Sequence, residues 1–89
     1  MNGVTVAESD QTVFLEGNHY FPRDSVRDDV LEASKLRTLC FWKGVARYYH
    51  AVIDGHRQSN AAWSYTRPYP WVRRIKGHIA FSPGVEVTP

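Results

Sequence analysis

The chain has 89 residues, 43% of them hydrophobic and 22% charged, with a net charge of +2. One domain, 1–89, fills that length, and a chain this short buries only about 60–65% of its unfolded surface, so core quality decides its stability. A single cysteine excludes an internal disulfide framework, and no apolar run approaches the roughly 18 residues of a membrane helix.

Rings are the unusual part of the composition: three Trp, five Tyr and four Phe. Each can bury about 150–250 Å², which builds a core without cross-links. The opening MNGVTVAESD has no basic n-region and no apolar h-region, so a secretory signal is not expected and the cytoplasm is the expected location. Charge is unevenly placed. Residues 1–32 carry seven acids against two bases, a net −5, whereas residues 33–89 carry nine bases against two acids, a net +7. Either the halves attract each other in the fold, or a basic surface awaits an anionic partner.

In chain order, Val4 to Glu8 and Thr12 to Glu16 are short β-branched runs around Ser9-Asp10-Gln11, which reads as a tight turn. Gly17-Asn18 suits a two-residue hairpin turn, and His19, Tyr20 and Phe21 return as a third antiparallel strand that Pro22 ends. Ser25 can cap a helix, with Asp28 favourably placed in the dipole field. Val26, Val30 and Ala33 share a face, with Leu31 at its edge. This one short helix of about two turns must dock on the sheet to be stable. Thr38 to Trp42 reads as a strand interrupted near Lys43-Gly44.

Val45 to Ile53 is the strongest strand pattern. One face shows Val45, Arg47, Tyr49, Ala51 and Ile53; the other shows Ala46, Tyr48, His50 and Val52. Neither face is cleanly polar, so both are covered in part or one lines a cavity. Asp54-Gly55 is a type I′ hairpin signal, and the return strand runs from Arg57 through Asn60-Ala61-Ala62-Trp63-Ser64-Tyr65. Arg67-Pro68-Tyr69-Pro70 breaks the chain, Trp71 and Ile75 can anchor one helical turn ended by Gly77, and His78 to Phe81 form a last strand. Residues 83–89 read as a tail in which Val85 to Val87 can add an edge strand. The sum is mainly antiparallel β: a compact sheet sandwich or half-open barrel.

A set of motifs runs through these elements: E-G-x-x-Y-F-P (Glu16 to Pro22), V-R-x-D (Val26 to Asp29), T-x-C-x-W-K-G-x-A-x-Y-Y (Thr38 to Tyr49), A-A-W-x-Y (Ala61 to Tyr65) and I-x-G-H-x-A-F (Ile75 to Phe81). In this order and spacing, over roughly residues 5–82, the chain resembles the small bacterial domain-of-unknown-function family 427, also labelled a nucleotidyltransferase domain. The resemblance implies a β-tent-like half-open sandwich, two antiparallel sheets meeting as tent walls, a fold to which methionine-R-sulfoxide reductases and the translationally controlled tumour protein are similar. It implies no established activity. Two positions depart from the family pattern: Phe41 stands where proline is usual, and Arg67 where an acid is usual.

Cys40 has two readings. As a nucleophile or redox thiol it would need a nearby cation or helix N-terminus, and no second cysteine can resolve it; as a small apolar side chain it simply fills a strand. Cys40 with the scattered His19, His50, His56 and His78 shows no zinc-ligand spacing, so no metal and no cofactor is expected. Trp42, Tyr48, Trp63 and Tyr65 form either plain core or an aromatic cup, to which Lys43 and Arg27 (positioned by Asp29) would add charge. The segment RPYPWVRRIKGH mixes Arg67, Arg73, Arg74 and Lys76 with Tyr69 and Trp71. It reads as a solvated basic face rather than a nucleic-acid surface.

The leading expectation is therefore a small-molecule binding module. Its aromatic pocket would lie between the two sheets, lined by Trp42, Lys43, Tyr48, Trp63, Tyr65, Arg27 and Cys40. The alternatives are a hydrolytic, redox or nucleotidyl-transfer enzyme using Cys40 or Lys43, and a protein-interaction or homodimer module. Membrane and nucleic-acid partners are not expected.

Overall fold

The computed structural model describes residues 3–89. Among the described residues eight strands form in chain order: β1 (Thr5–Glu8), β2 (Val13–Leu15), β3 (Asn18–Tyr20), β4 (Leu31–Cys40), β5 (Gly44–Ile53), β6 (His56–Ser64), β7 (Ile79–Phe81) and β8 (Glu86–Thr88). The protein is mainly β. Strands β4-β5-β6-β7 make one antiparallel sheet, β2-β3 a small hairpin, and β1-β8 a two-stranded parallel pair. The sheets stay open and do not close into a barrel. Phe21 links the hairpin to the main sheet, exchanging backbone hydrogen bonds with Ile79 at 2.8 and 2.9 Å.

Turn chemistry sets the central register. Asp54 and Gly55 both have positive φ, 50° and 78°, which is the type I′ geometry whose twist matches the flanking strands. Glu16 (φ 52°) and Gly17 (φ 80°) do the same for β2 and β3, with Leu15 opposite Asn18. This turn lies one residue earlier than Gly17-Asn18. Glycine's freedom serves its second position, and Asn18 is left to open β3.

Two expectations need correction. No helix starts at Ser25. The chain instead makes two single 3₁₀ turns, Arg23–Ser25 and Asp28–Val30, and then enters the ten-residue β4. The Ser25 hydroxyl donates to the Pro22 carbonyl at 2.7 Å rather than capping helix N–H groups. A two-turn helix is marginal alone, and β5 offers Leu31 to Ala33 a continuous hydrogen-bonding partner. Val26 and Val30 still reach the core, but from extended and 3₁₀ backbone.

The second correction concerns β1. It does not form a hairpin with β2 through Ser9-Asp10-Gln11. It pairs in parallel with β8, Thr5 opposite Glu86 and Glu8 opposite Thr88, while Ala7 bridges to Val26 on its other edge. Both edges of β1 are thus occupied, and its adjacent Val6 and Ala7 are both buried. Residues 83–89 are accordingly part of the fold: β8 supplies a strand, and Val85 is a core residue.

Each face of the four-stranded sheet carries its own core. On one, Val6, Phe21, Val26, Val30, Ala51, Ile53, Ile79 and Phe81 pack together, with Phe21 and Phe81 edge to face at 5.9 Å. On the other, Tyr20, Ala46, Tyr65, Val72, Ile75 and Ala80 are enclosed, and Trp42, Tyr48 and Trp63 are half-buried against them. Alternation along β5 therefore feeds both cores, which explains why neither of its faces reads as polar. Full burial of each large side chain contributes about 1.5–3 kcal/mol.

Two bulges sit side by side in the sheet. The β4–β5 register shifts between Ala33 and Arg37, and the β5–β6 register shifts where Asn60 takes φ 51°. The Ser34 hydroxyl donates to Asn60 Oδ1 at 2.6 Å, and the Asn60 N–H donates to His50 Nδ1 at 3.0 Å. The His50 ring thus meets a backbone N–H that one bulge releases from the ladder, and the Ser34 hydroxyl oxygen accepts from the Leu36 N–H at 3.1 Å at the other.

Candidate functional site

The turn 41–43 between β4 and β5 organises two neighbouring regions. The first is built around Lys43. Its side chain is only 10% exposed and is ion-paired with Glu16 of the β2–β3 turn, tying the hairpin to the main sheet. The Lys43 ammonium lies 5.4 Å from the Trp42 ring centre and 5.2 Å from that of Tyr65, both within cation–π range. Beside it, Trp63 Nε1 donates to the Tyr20 hydroxyl at 3.2 Å, and the Tyr48 ring lies 6.2 Å from that of Trp63. Cys40 packs on the same cluster, half-buried.

Burial pulls the Lys43 ammonium towards neutrality. The Glu16 hydrogen bond and the Tyr20, Tyr65 and Glu16 charges together outweigh this and hold the lysine above its ordinary value. Burial raises the Tyr65 phenol, against the opposing pull of Lys43. A lysine kept protonated is the reverse of what an amine nucleophile or base requires.

Six of the residues singled out from the sequence, Cys40, Trp42, Lys43, Tyr48, Trp63 and Tyr65, thus share one cluster. Arg27 stands apart. Its backbone N–H donates to the Val6 carbonyl at 2.9 Å, beside β1, and its guanidinium donates to Asp29 at 2.7 Å, as the V-R-x-D spacing suggested. That hydrogen bond raises the arginine and lowers the carboxylate.

The second region was not anticipated. A cleft of about 380 Å³ is lined by Arg37, Val45, Arg47, Thr66, Arg67 and Tyr69. Its floor is the β4–β5 hairpin, where Arg37 lies directly opposite Arg47 and Leu39 opposite Val45. Its wall is the segment 66–69, held by two bonds to the 41–43 turn. The Tyr69 N–H donates to the Lys43 carbonyl at 3.0 Å, and Trp71 Nε1 donates to the Trp42 carbonyl at 2.6 Å.

Gly44 makes that approach close: at φ 118°, a Cβ there would meet the Arg67 carbonyl at 3.3 Å. Only part of this cleft has a signal in the sequence: Arg47 shares a strand face with Val45. The expected strand Thr38 to Trp42 instead ends at Cys40, and the chain reverses through a three-residue turn at 41–43, which sets Arg37 across from Arg47.

Across the two halves of the chain, only Lys43 and Arg57 reach acids of the first 32 residues, Glu16 and Glu32, among the described residues. Arg23 and Arg27 pair locally with Asp28 and Asp29. Three of the four histidines have local roles: His19 with the Thr12 hydroxyl at 2.9 Å, His50 at the bulge, and His78 with the Lys76 carbonyl at 3.1 Å. Phe41, at one of the two departures, is 86% exposed at the tip of the turn.

The fold defines a class of small, open-sheet, mainly β domain with almost no helix. Within it, the chain belongs to the family described as "Domain of unknown function (DUF427)", whose model matches residues 1–88. No curated protein matches the chain. Among the described residues, no helix is long and apolar enough to cross a membrane.

Proposed function

We propose that the protein is a small-molecule binding module, with its ligand in the cleft between the β4–β5 hairpin and the segment 66–69. The observation that carries this reading is the cleft's construction. A concave volume of about 380 Å³ falls within the range of roughly 300–1,000 Å³ usual for ligand sites. It combines an apolar floor at Val45, an aromatic wall at Tyr69 and several polar side chains. The wall is held to the 41–43 turn by the Tyr69 backbone N–H and the Trp71 indole N–H. In this reading the Lys43 cluster is the frame of the site: its rings and ion pair fix the 41–43 turn, and the turn fixes the wall.

A fragment screen read by amide NMR tests the proposal. Ligands are expected to shift the signals of Val45, Arg47 and Tyr69 first, and Tyr69→Ala to weaken those hits without unfolding the protein. A library that leaves these signals unmoved, or whose hits move Trp42 and Trp63 instead, would refute the placement.

A further inference from the structure

The cleft also points to a chemical class of ligand, an inference that rests on the cleft being the binding site. We propose that it binds a phosphomonoester carried on a flat apolar group. Arg37, Arg47 and Arg67 would hold the phosphate, and Val45 and Tyr69 would meet the apolar part.

The argument begins with charge. Arg37 and Arg47 face each other directly across two strands, an arrangement that destabilises a sheet when nothing neutralises it. Arg67 adds a third guanidinium to the same cleft. Among the described residues, none of the three is ion-paired, whereas Arg23, Arg27, Lys43 and Arg57 each have a carboxylate. The chain supplies no acid nearby in sequence either, because residues 33–53 and 55–85, which contribute every lining residue, contain neither Asp nor Glu.

Geometry makes these cations more than a solvated face. Arg37 Nη1 donates to the carbonyls of Ser34 and Leu36, both at 2.9 Å, so its guanidinium is oriented before any ligand arrives. Arg67 sits on the wall that Gly44 and the Tyr69 N–H hold against β5. Guanidinium forks match tetrahedral oxyanions, and a phosphomonoester brings nearly two negative charges and three terminal oxygens to three donors. A carboxylate brings one charge and a single planar edge. Val45 and Tyr69, 48% and 36% exposed, leave apolar area beside the arginines that a bare inorganic ion would not cover.

The test titrates the intact protein with phenyl phosphate, inorganic phosphate, phenylacetate, phenol and a ten-nucleotide single strand, following amide and arginine side-chain NMR signals. Phenyl phosphate is expected to saturate the signals of Arg37, Arg47, Arg67 and Tyr69 and to bind more tightly than the other small probes. Arg47→Ala or Arg67→Ala should each weaken it about 10-fold, because a charge-assisted hydrogen bond is lost. Arg57→Ala, away from the cleft, should not change it. All three variants alter exposed side chains, and retained amide spectra will show that they fold.

Phenol binding in the cleft as tightly as phenyl phosphate would overturn the phosphate assignment while leaving the small-molecule reading intact. Phenylacetate matching phenyl phosphate would do the same. Absence of binding by every probe would sink both readings. Cleft binding by the oligonucleotide alone would replace the proposal with a nucleic-acid surface.

Discussion

Two cationic regions lie on either side of the same turn, and they differ in what answers the charge. Lys43 is nearly enclosed, with a carboxylate and two aromatic rings around its ammonium. Arg37, Arg47 and Arg67 share an open cleft without an ion-pair partner among the described residues. A buried cation with a full set of partners belongs to the architecture, since desolvation is offset inside the protein. Convergent cations that the fold leaves unanswered have their electrostatic energy still to gain from outside. The sequence drew attention to the lysine because its aromatic neighbours are dense. Tertiary structure moves it to the arginines.

That contrast can be broken most directly by comparing Lys43→Ala with Arg47→Ala in urea denaturation. Removing the lysine strips Glu16 of its partner and opens the ring cluster, for an expected loss of about 2–3 kcal/mol, below the fully buried limit because Glu16 is half-exposed. Removing Arg47 should change stability by no more than about 0.5 kcal/mol, or raise it slightly as the like-charge contact disappears. Equal losses would make the arginines structural and end the distinction.

Gly44→Ala strikes the joint between the two regions. Its positive φ and the tight approach of the Arg67 carbonyl predict a loss of about 1–2 kcal/mol, with displaced amide signals in the segment 66–69. A change confined to residue 44 would show that the wall does not depend on that packing.

A pH series sharpens the lysine side. The folded pKa of Lys43 is raised, so its contribution is fully present below the unfolded value near pH 10.4 and is lost as pH rises through the folded value. In that window the native state holds the extra proton, so stability falls with increasing pH. The stability difference between the natural protein and Lys43→Met should stay flat from pH 6 to 9 and shrink above about pH 10. A difference that changes already near neutrality would mean the lysine is not held protonated.

The smallest effect belongs to Arg27, the one candidate outside the cluster. Its pair with Asp29 is solvent-exposed, so Asp29→Asn should leave the Tm unchanged at neutral pH. A clear drop in Tm would give that pair a structural role it does not have here.

Much of the architecture was legible as local chemistry. The Asp54-Gly55 turn, the two-sided strand after it, the return through Ala61-Ala62-Trp63 and the final strand before Ser82 all follow from turn residues and alternation. Resemblance to the family supplied the open-sheet character. The helix at Ser25 failed because its signals, a serine and three spaced apolar residues, suit a capped turn as well as an extended segment. The presence of β5 decided between them. The β1–β2 hairpin failed for a related reason: a turn joins neighbouring strands in sequence by default, yet β1 found both its partners, Val26 and β8, far along the chain.

The sequence by itself therefore determined the β class, the Asp54-Gly55 hairpin, the aromatic cluster and the opposition of an acidic first third to a basic remainder. Only the tertiary structure decided which cations of the basic remainder meet an acid. Pairing of Lys43 with Glu16, and the convergence of Arg67 on Arg37 and Arg47, depend on packing the β2–β3 hairpin and the segment 66–69 against one turn. Those contacts join residues 20 or more positions apart. Turn propensity and strand alternation act over two to four residues, so they fix the local elements and are silent about which of them meet.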